Sequence, residues 1–113
     1  MTKLEVWIPG DPCQPPEGEP HRGSPYANYL RAARSILRQR IDRPVAGDAE
    51  LRAIVRTARP TQSSKASRLV LDIVAGVAVI EASQVVTTAC RREPIGPEGP
   101  GILLVVEIEK QIA

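Results

Sequence analysis

At 113 residues, 42% of them hydrophobic and 25% charged, the chain is long enough for one core, too short for two, and ordinary for a soluble globular domain. The formal net charge of +2 hides a strong asymmetry: residues 1–21 carry −3, residues 22–68 carry +8 and residues 69–113 carry −3. No run approaches the ~18 apolar residues of a membrane span. Trp7, Tyr26 and Tyr29 are the only aromatics, too few for the stacking platforms of single-strand binders, and two cysteines are too few for a metal cluster or disulfide framework. The N-terminus lacks the basic and apolar regions of a signal peptide, so the chain is expected to be cytoplasmic, with Cys13 and Cys90 as reduced thiols.

The elements follow in chain order. Leu4–Gly10 alternates, with Leu4, Val6 and Ile8 on one face and Lys3, Glu5 and Trp7 on the other, which predicts a half-buried strand stopped by Pro9. Residues 9–25 hold six prolines and three glycines and cannot form a regular element, since proline lacks a donor and glycine has no side chain to pack. This long loop carries Asp11, Glu17 and Glu19 against Arg22, and the lone His21 reads as a solvated loop residue. Ser24-Pro25 predicts a helix start, with serine as N-cap and proline at the first helical position. Leu30, Ala33 and Leu37, joined by Tyr29, Ile36 and Ile41, form its buried stripe; Arg31, Arg34 and Arg38 recur at steps of three and four on an adjacent face.

Residues 49–59 predict a second strand with Leu51, Ala53 and Val55 inward, Arg52 and Arg56 together on the opposite face, and Pro60 closing it. Ser63 or Ser64 then caps a second helix, in which Leu69, Val70, Ile73, Val74 and Val77 recur at helical spacing. Lys65, Arg68 and Asp72 share its polar face, and Gly76 ends it. A Val- and Thr-rich run from Gln84 to Cys90 predicts a third strand, with Cys90 on its packed side. PIGPEGPG is a turn, and Ile102–Glu109 alternates as a last strand whose second face, Leu103 and Val105, is also apolar and suits a second subunit. The reading is one domain over 1–113, of α+β class, with a small mixed sheet of about four strands and two helices in the order β-α-β-α-β-β. The polar residues at the second helix's start and around Glu81 are expected near one edge of that sheet.

The stretch SSKASRLVLDIVAGVAVIEASQVV, residues 63–86, resembles the RusA-type Holliday-junction resolvases. That family shows D-x-D-N-x-x-K-x-x-x-D-A-L, a short connection with glycine, D-D-x-Q-V, and a final strand ending in alternating Glu and Ile. Aligned on Asp72 and on Ser83-Gln84-Val85, Gln62 and Ser64 stand at the first two aspartates, Lys65 at the asparagine and Arg68 at the lysine. Glu81 and Ala82 stand at the D-D pair. LEVWIPG, a Tyr-bearing helix and GILLVVEIEK match the rest of the family's outline, so the resemblance spans nearly the whole chain.

What the resemblance implies is a RusA-like fold, a homodimer and a role in DNA recombination and repair. It also implies a Mg²⁺-dependent site, but magnesium needs hard oxygen ligands, usually carboxylates, to activate water for phosphodiester cleavage. Here Gln62 and Ser64 offer neutral oxygens while Lys65 and Arg68 bring positive charge. The expectation is therefore a pseudoenzyme with no catalytic residues, no cofactor and no metal, Asp72 and Glu81 being the residual candidates. The simpler role for Asp72 is an i,i+4 ion pair with Arg68.

Three readings follow. In the first, the chain binds branched or duplex DNA through Arg31, Arg34, Arg38, Arg52, Arg56, Lys65 and Arg68. In the second, the fold is a protein-interaction or regulatory module whose acidic loop 9–25 meets a protein partner. In the third it is an active crossover-junction endodeoxyribonuclease using Mg²⁺. The basic centre of the chain favours the first.

Overall fold

The computed structural model describes residues 2–16, 23–58 and 63–109. Its elements are β1 (Thr2–Pro9), α1 (Pro25–Arg38), β2 (Ala49–Arg56), α2 (Ser63–Val74), β3 (Val85–Glu93) and β4 (Gly101–Ile108), with a 3₁₀ turn at Ala82–Gln84 before β3. The class and order are those expected from the sequence. His21, Arg22, Pro60 and Gln62 lie outside the described residues, as does residue range 17–22 of the Pro/Gly-rich loop.

The four strands form one mixed sheet in the order β1-β4-β2-β3. β4 runs antiparallel to both β1 and β2, while β2 and β3 are parallel and joined through α2. That βαβ crossover puts the start of α2 beyond the carboxyl end of β2, and brings the chain back to Glu81 at the amino end of β3. The expectation that these polar groups share one edge is corrected accordingly: a 12-residue helix separates them by ~18 Å along its axis.

Alternation along the strands sorts the two faces of the sheet. Val6, Ile8, Leu51, Ala53, Val55, Ile102, Leu104, Val106 and Ile108 are buried beneath α1 and α2, which contribute Tyr26, Ala33, Leu37, Leu69, Val70, Ile73 and Val74. Ser24 caps α1 by accepting from the Ala27 amide at 3.2 Å, as Ser24-Pro25 predicts. Gly76, at φ +79°, turns the chain out of α2 where a side chain would be strained. Gly101 answers a different need: a Cβ there would stand 2.5 Å from the Trp7 ring and 2.6 Å from the Ile8 carbonyl, so only glycine lets β1 and β4 approach at this seam.

The other face of the sheet is covered by no element among the described residues. Lys3, Glu5 and Trp7 of β1, Leu103, Val105 and Glu107 of β4, and Glu50, Arg52, Ile54 and Arg56 of β2 lie on it in register. Leu103, Val105 and Ile54 are half-buried there.

Candidate nucleic-acid interface

The seven basic residues singled out in the sequence do not form one surface. Arg31, Arg34 and Arg38 share a stripe of α1, and Lys65 and Arg68 lie on α2, all in the helical layer. Arg52 and Arg56 project from the open face of the sheet, because odd positions of β2 are buried under the helices and even positions point away.

Within the helical layer the cations divide again by what they touch. Arg34 is half-buried and donates to the Ala75 carbonyl at 3.0 Å and to the Asp72 carbonyl at 3.5 Å. These are last-turn acceptors of α2 that its own ladder leaves free, so Arg34 acts as a cation at the negative end of the helix. Arg68 donates to the Pro16 carbonyl at 2.9 Å and lies 3.7 Å from the Asp72 carboxylate, the i,i+4 pair expected from the spacing. Arg31 and Arg38 are exposed and Lys65 is half-buried. Among the described residues these three make no ion pair or side-chain hydrogen bond, and the same holds for exposed Arg40 and Arg43 just after α1. Those last two were not among the candidates drawn from motif spacing; the signal for them is their place directly after a basic amphipathic helix.

The open face treats its cations differently. Lys3 lies 4.0 Å from Glu107, and Arg52 is hydrogen-bonded to the same carboxylate. Arg56 reaches Glu98 at 3.2 Å and Glu93 at 3.7 Å, and Arg91 reaches Glu93 at 2.6 Å. Arg56 in this way ties the end of β2 to the 94–100 crossing that leads from β3 to β4; a Cβ at Gly96 would come within 2.5 Å of its guanidinium. Each such surface pair stabilises little. Their effect is to cancel the local field, so this face presents paired charge around an apolar centre.

Asp72 and Glu81, the residual metal candidates, are occupied by protein groups. The buried Tyr26 hydroxyl donates to Asp72 Oδ2 at 2.5 Å, and Arg68 lies against the same oxygen. Burial, reinforced by that hydrogen bond and by the carboxylate charge, pushes the Tyr26 phenol well above its ordinary range, so it stays a neutral donor. Tyr29 is raised likewise, first by burial and then by Cys13 and Asp11. Glu81 accepts the Ser83 hydroxyl at 3.2 Å. Beside it Gln84 uses its whole amide: Oε1 accepts from the Ile80 and Glu81 amides at 2.8 and 2.9 Å, and Nε2 donates to the Val45 and Gly47 carbonyls at 2.9 and 2.8 Å. This glutamine of the S-Q-V motif is thus a structural clip between two loops.

A magnesium ion at Asp72 would meet the Arg68 guanidinium, and Asp72 and Ser64 lie two turns apart on α2 while Glu81 lies beyond its far end. The donor set does not fit a hard divalent cation. No cluster of three His, Cys, Asp or Glu residues suited to a metal occurs among the described residues. Cys13 and Cys90 are free thiols; Cys90 is half-buried on the helix side near Ser67, and burial raises its pKa. No helix is long and apolar enough to cross a membrane among the described residues.

No family model matches the chain, and no curated protein matches it. The RusA-type resemblance therefore rests on the motif residues themselves.

Proposed function

We propose that this protein binds nucleic acid, duplex or branched DNA, through the phosphate backbone and without cleaving it, using the helical side of the fold. The observation that carries this reading is the segregation of charge. All four described Lys and Arg residues on the open sheet face, Lys3, Arg52, Arg56 and Arg91, sit beside carboxylates. Among the described residues Arg31, Arg38, Arg40, Arg43 and Lys65 make no such ion pair. Unneutralised arginines on one side of a small fold attract phosphates at long range and pair with them bidentately on contact. Arg31 and Arg38 lie seven residues apart, ~10 Å along the axis of α1, a separation that engages two phosphates rather than one. Nothing in this array supplies base-edge readout, so binding is expected to follow backbone shape and charge.

Catalysis is absent from the reading because, of the two carboxylates left at the family's motif positions, Asp72 is held by Tyr26 and Arg68, and Glu81 accepts from Ser83 beyond the far end of α2. A homodimer, which the resemblance implies, would present two such arrays to one nucleic acid. The protein-interaction alternative draws its support from the open sheet face, whose apolar centre and paired charges have the anatomy of a protein contact.

The test is binding of labelled four-way junction, duplex and single strand across a salt series, with parallel reactions containing Mg²⁺. Binding that weakens steeply with salt, with intact DNA in every lane, is the expected result. Absence of binding at low salt removes the reading, and Mg²⁺-dependent cleavage that is lost in Asp72→Asn replaces it with the nuclease.

A further inference from the structure

Of the two helices that cover the sheet, α1 projects and α2 is recessed. Asn28, Arg31, Ala32, Ser35 and Arg38 of α1 and its cap Gln39 are exposed, whereas among the described residues of α2 only Ser64 is. At 3.6 residues per turn those positions of α1 span ~120° of its circumference. Tyr26, Ala33 and Leu37, on the opposite side, are buried. The sequence of α1, PYANYLRAARSILR, holds no Asp or Glu, and Arg31 and Arg38 make no ion pair among the described residues. No large apolar side chain is exposed on it: the described ones that are exposed, Ile80, Val86 and Ile95, lie on β3 or beside it. A helix that docks in a protein groove needs apolar anchors along its outer face, and this face lacks them.

We propose that α1 inserts into the major groove of B-form DNA, in a duplex or in a duplex arm of a junction. The inference rests on the nucleic-acid reading and adds to it the groove and the element that enters. An exposed face with cations and no acid complements a groove walled by phosphates. The dimensions agree: an α-helix is ~10–12 Å across and the major groove ~12 Å wide, whereas the minor groove, at ~6 Å, excludes a helix. Ala32 and Ser35, the smallest of the exposed side chains, lie midway along the helix and let its axis come close to the groove floor. Arg31 and Arg38 share one flank of the exposed arc, placed to meet phosphates of one strand at the groove wall. Asn28, Ser35 and Gln39 bring amides and a hydroxyl that both donate and accept, so they suit varied base edges, and the groove is read by its shape.

The test compares one short sequence in three forms: unmodified DNA duplex, duplex whose cytosines carry glucosylated 5-hydroxymethyl groups that fill the major groove, and double-stranded RNA, whose major groove is deep and narrow. All three keep their phosphates, and only the first leaves the major groove open to a helix. The modified duplex and the RNA are therefore expected to bind at least ~10-fold more weakly than the unmodified duplex. In parallel, Ala32→Tyr/Ser35→Tyr adds bulk without charge to the exposed face, and should weaken duplex binding to a similar degree while its thermal midpoint stays near that of the wild type. Equal affinity for unmodified and glucosylated duplex, equal affinity for RNA, or unchanged binding by the folded tyrosine variant would each overturn groove insertion and leave backbone binding standing. No binding of the unmodified duplex at low salt would remove both.

Discussion

The two sides of this small fold carry similar residue types and use them in opposite ways. On the open sheet face four cations stand among Glu93, Glu98 and Glu107, and the charges close on one another around Trp7, Ile54, Leu103 and Val105. On the helical side Arg34 closes a helix end, Arg68 is shared by a carboxylate and a carbonyl, Arg92 donates to the Thr57 and Ala58 carbonyls, and Arg31, Arg38, Arg40 and Arg43 are exposed. The difference teaches that net charge says little about where a polyanion would bind. What matters is which cations the fold has already neutralised.

The comparison can be broken by moving charge from one side to the other. Reversal of the solvent-facing pair, Arg31→Glu/Arg38→Glu, is expected to weaken duplex binding by ~100-fold, since a hydrogen bond to a charged group contributes about 1.5 to 3 kcal/mol. The thermal midpoint should hardly move, because both side chains are exposed. Arg34→Met is expected to do the reverse in denaturant titration, lowering stability by about 1 to 3 kcal/mol through the unsatisfied carbonyls at the end of α2. Its effect on affinity should be smaller than that of the exposed pair.

A third test uses pH. The folded pKa values of Tyr26 and Tyr29 lie above the ordinary value of ~10, so their contribution to stability is fully present below pH ~10 and is lost as pH rises beyond it, where the unfolded chain releases protons that the folded one keeps. Stability measured from pH 8 to 11 should fall at the alkaline end, and Tyr26→Phe/Tyr29→Phe should flatten that fall. The smallest effect belongs to the sheet face. Glu107→Gln releases Lys3 and Arg52 but should change stability by less than ~1 kcal/mol in thermal melts, since exposed pairs stabilise little. It should also raise nonspecific DNA binding slightly, by uncovering cations that the wild type neutralises.

The fold was legible where the physics is local. Ser24-Pro25 and Gly76 mark helix ends through backbone chemistry contained in one or two residues, and the alternation of β1 and β4 encodes which side chains are buried. The strand ends moved by a few residues: β2 stops at Arg56 and β3 continues to Glu93, because pairing between the two parallel strands, not residue type, sets those limits. The candidate site was legible only as a set of cations. Helical spacing makes Arg31, Arg34 and Arg38 equivalent, and only the packing of α2 against α1 draws Arg34 out of the set. The partner of Arg52 is Glu107 and one partner of Arg56 is Glu98, each more than forty residues away, so neutralisation of the sheet face has no local signal. The Tyr26–Asp72 bond is equally remote in sequence, although the i,i+4 pair of Arg68 with Asp72 could be read directly.

The most direct test of the charge segregation is the salt dependence of duplex binding for two matched variants, Arg31→Ala/Arg38→Ala on the helical side and Lys3→Ala/Arg52→Ala on the sheet face. Each phosphate contact removed should lower the slope of log K against log salt by ~0.9. A slope reduced by about 2 for the helical variant and unchanged for the sheet variant is the predicted result. Equal slopes for both variants, or a loss confined to the sheet variant, would contradict the account.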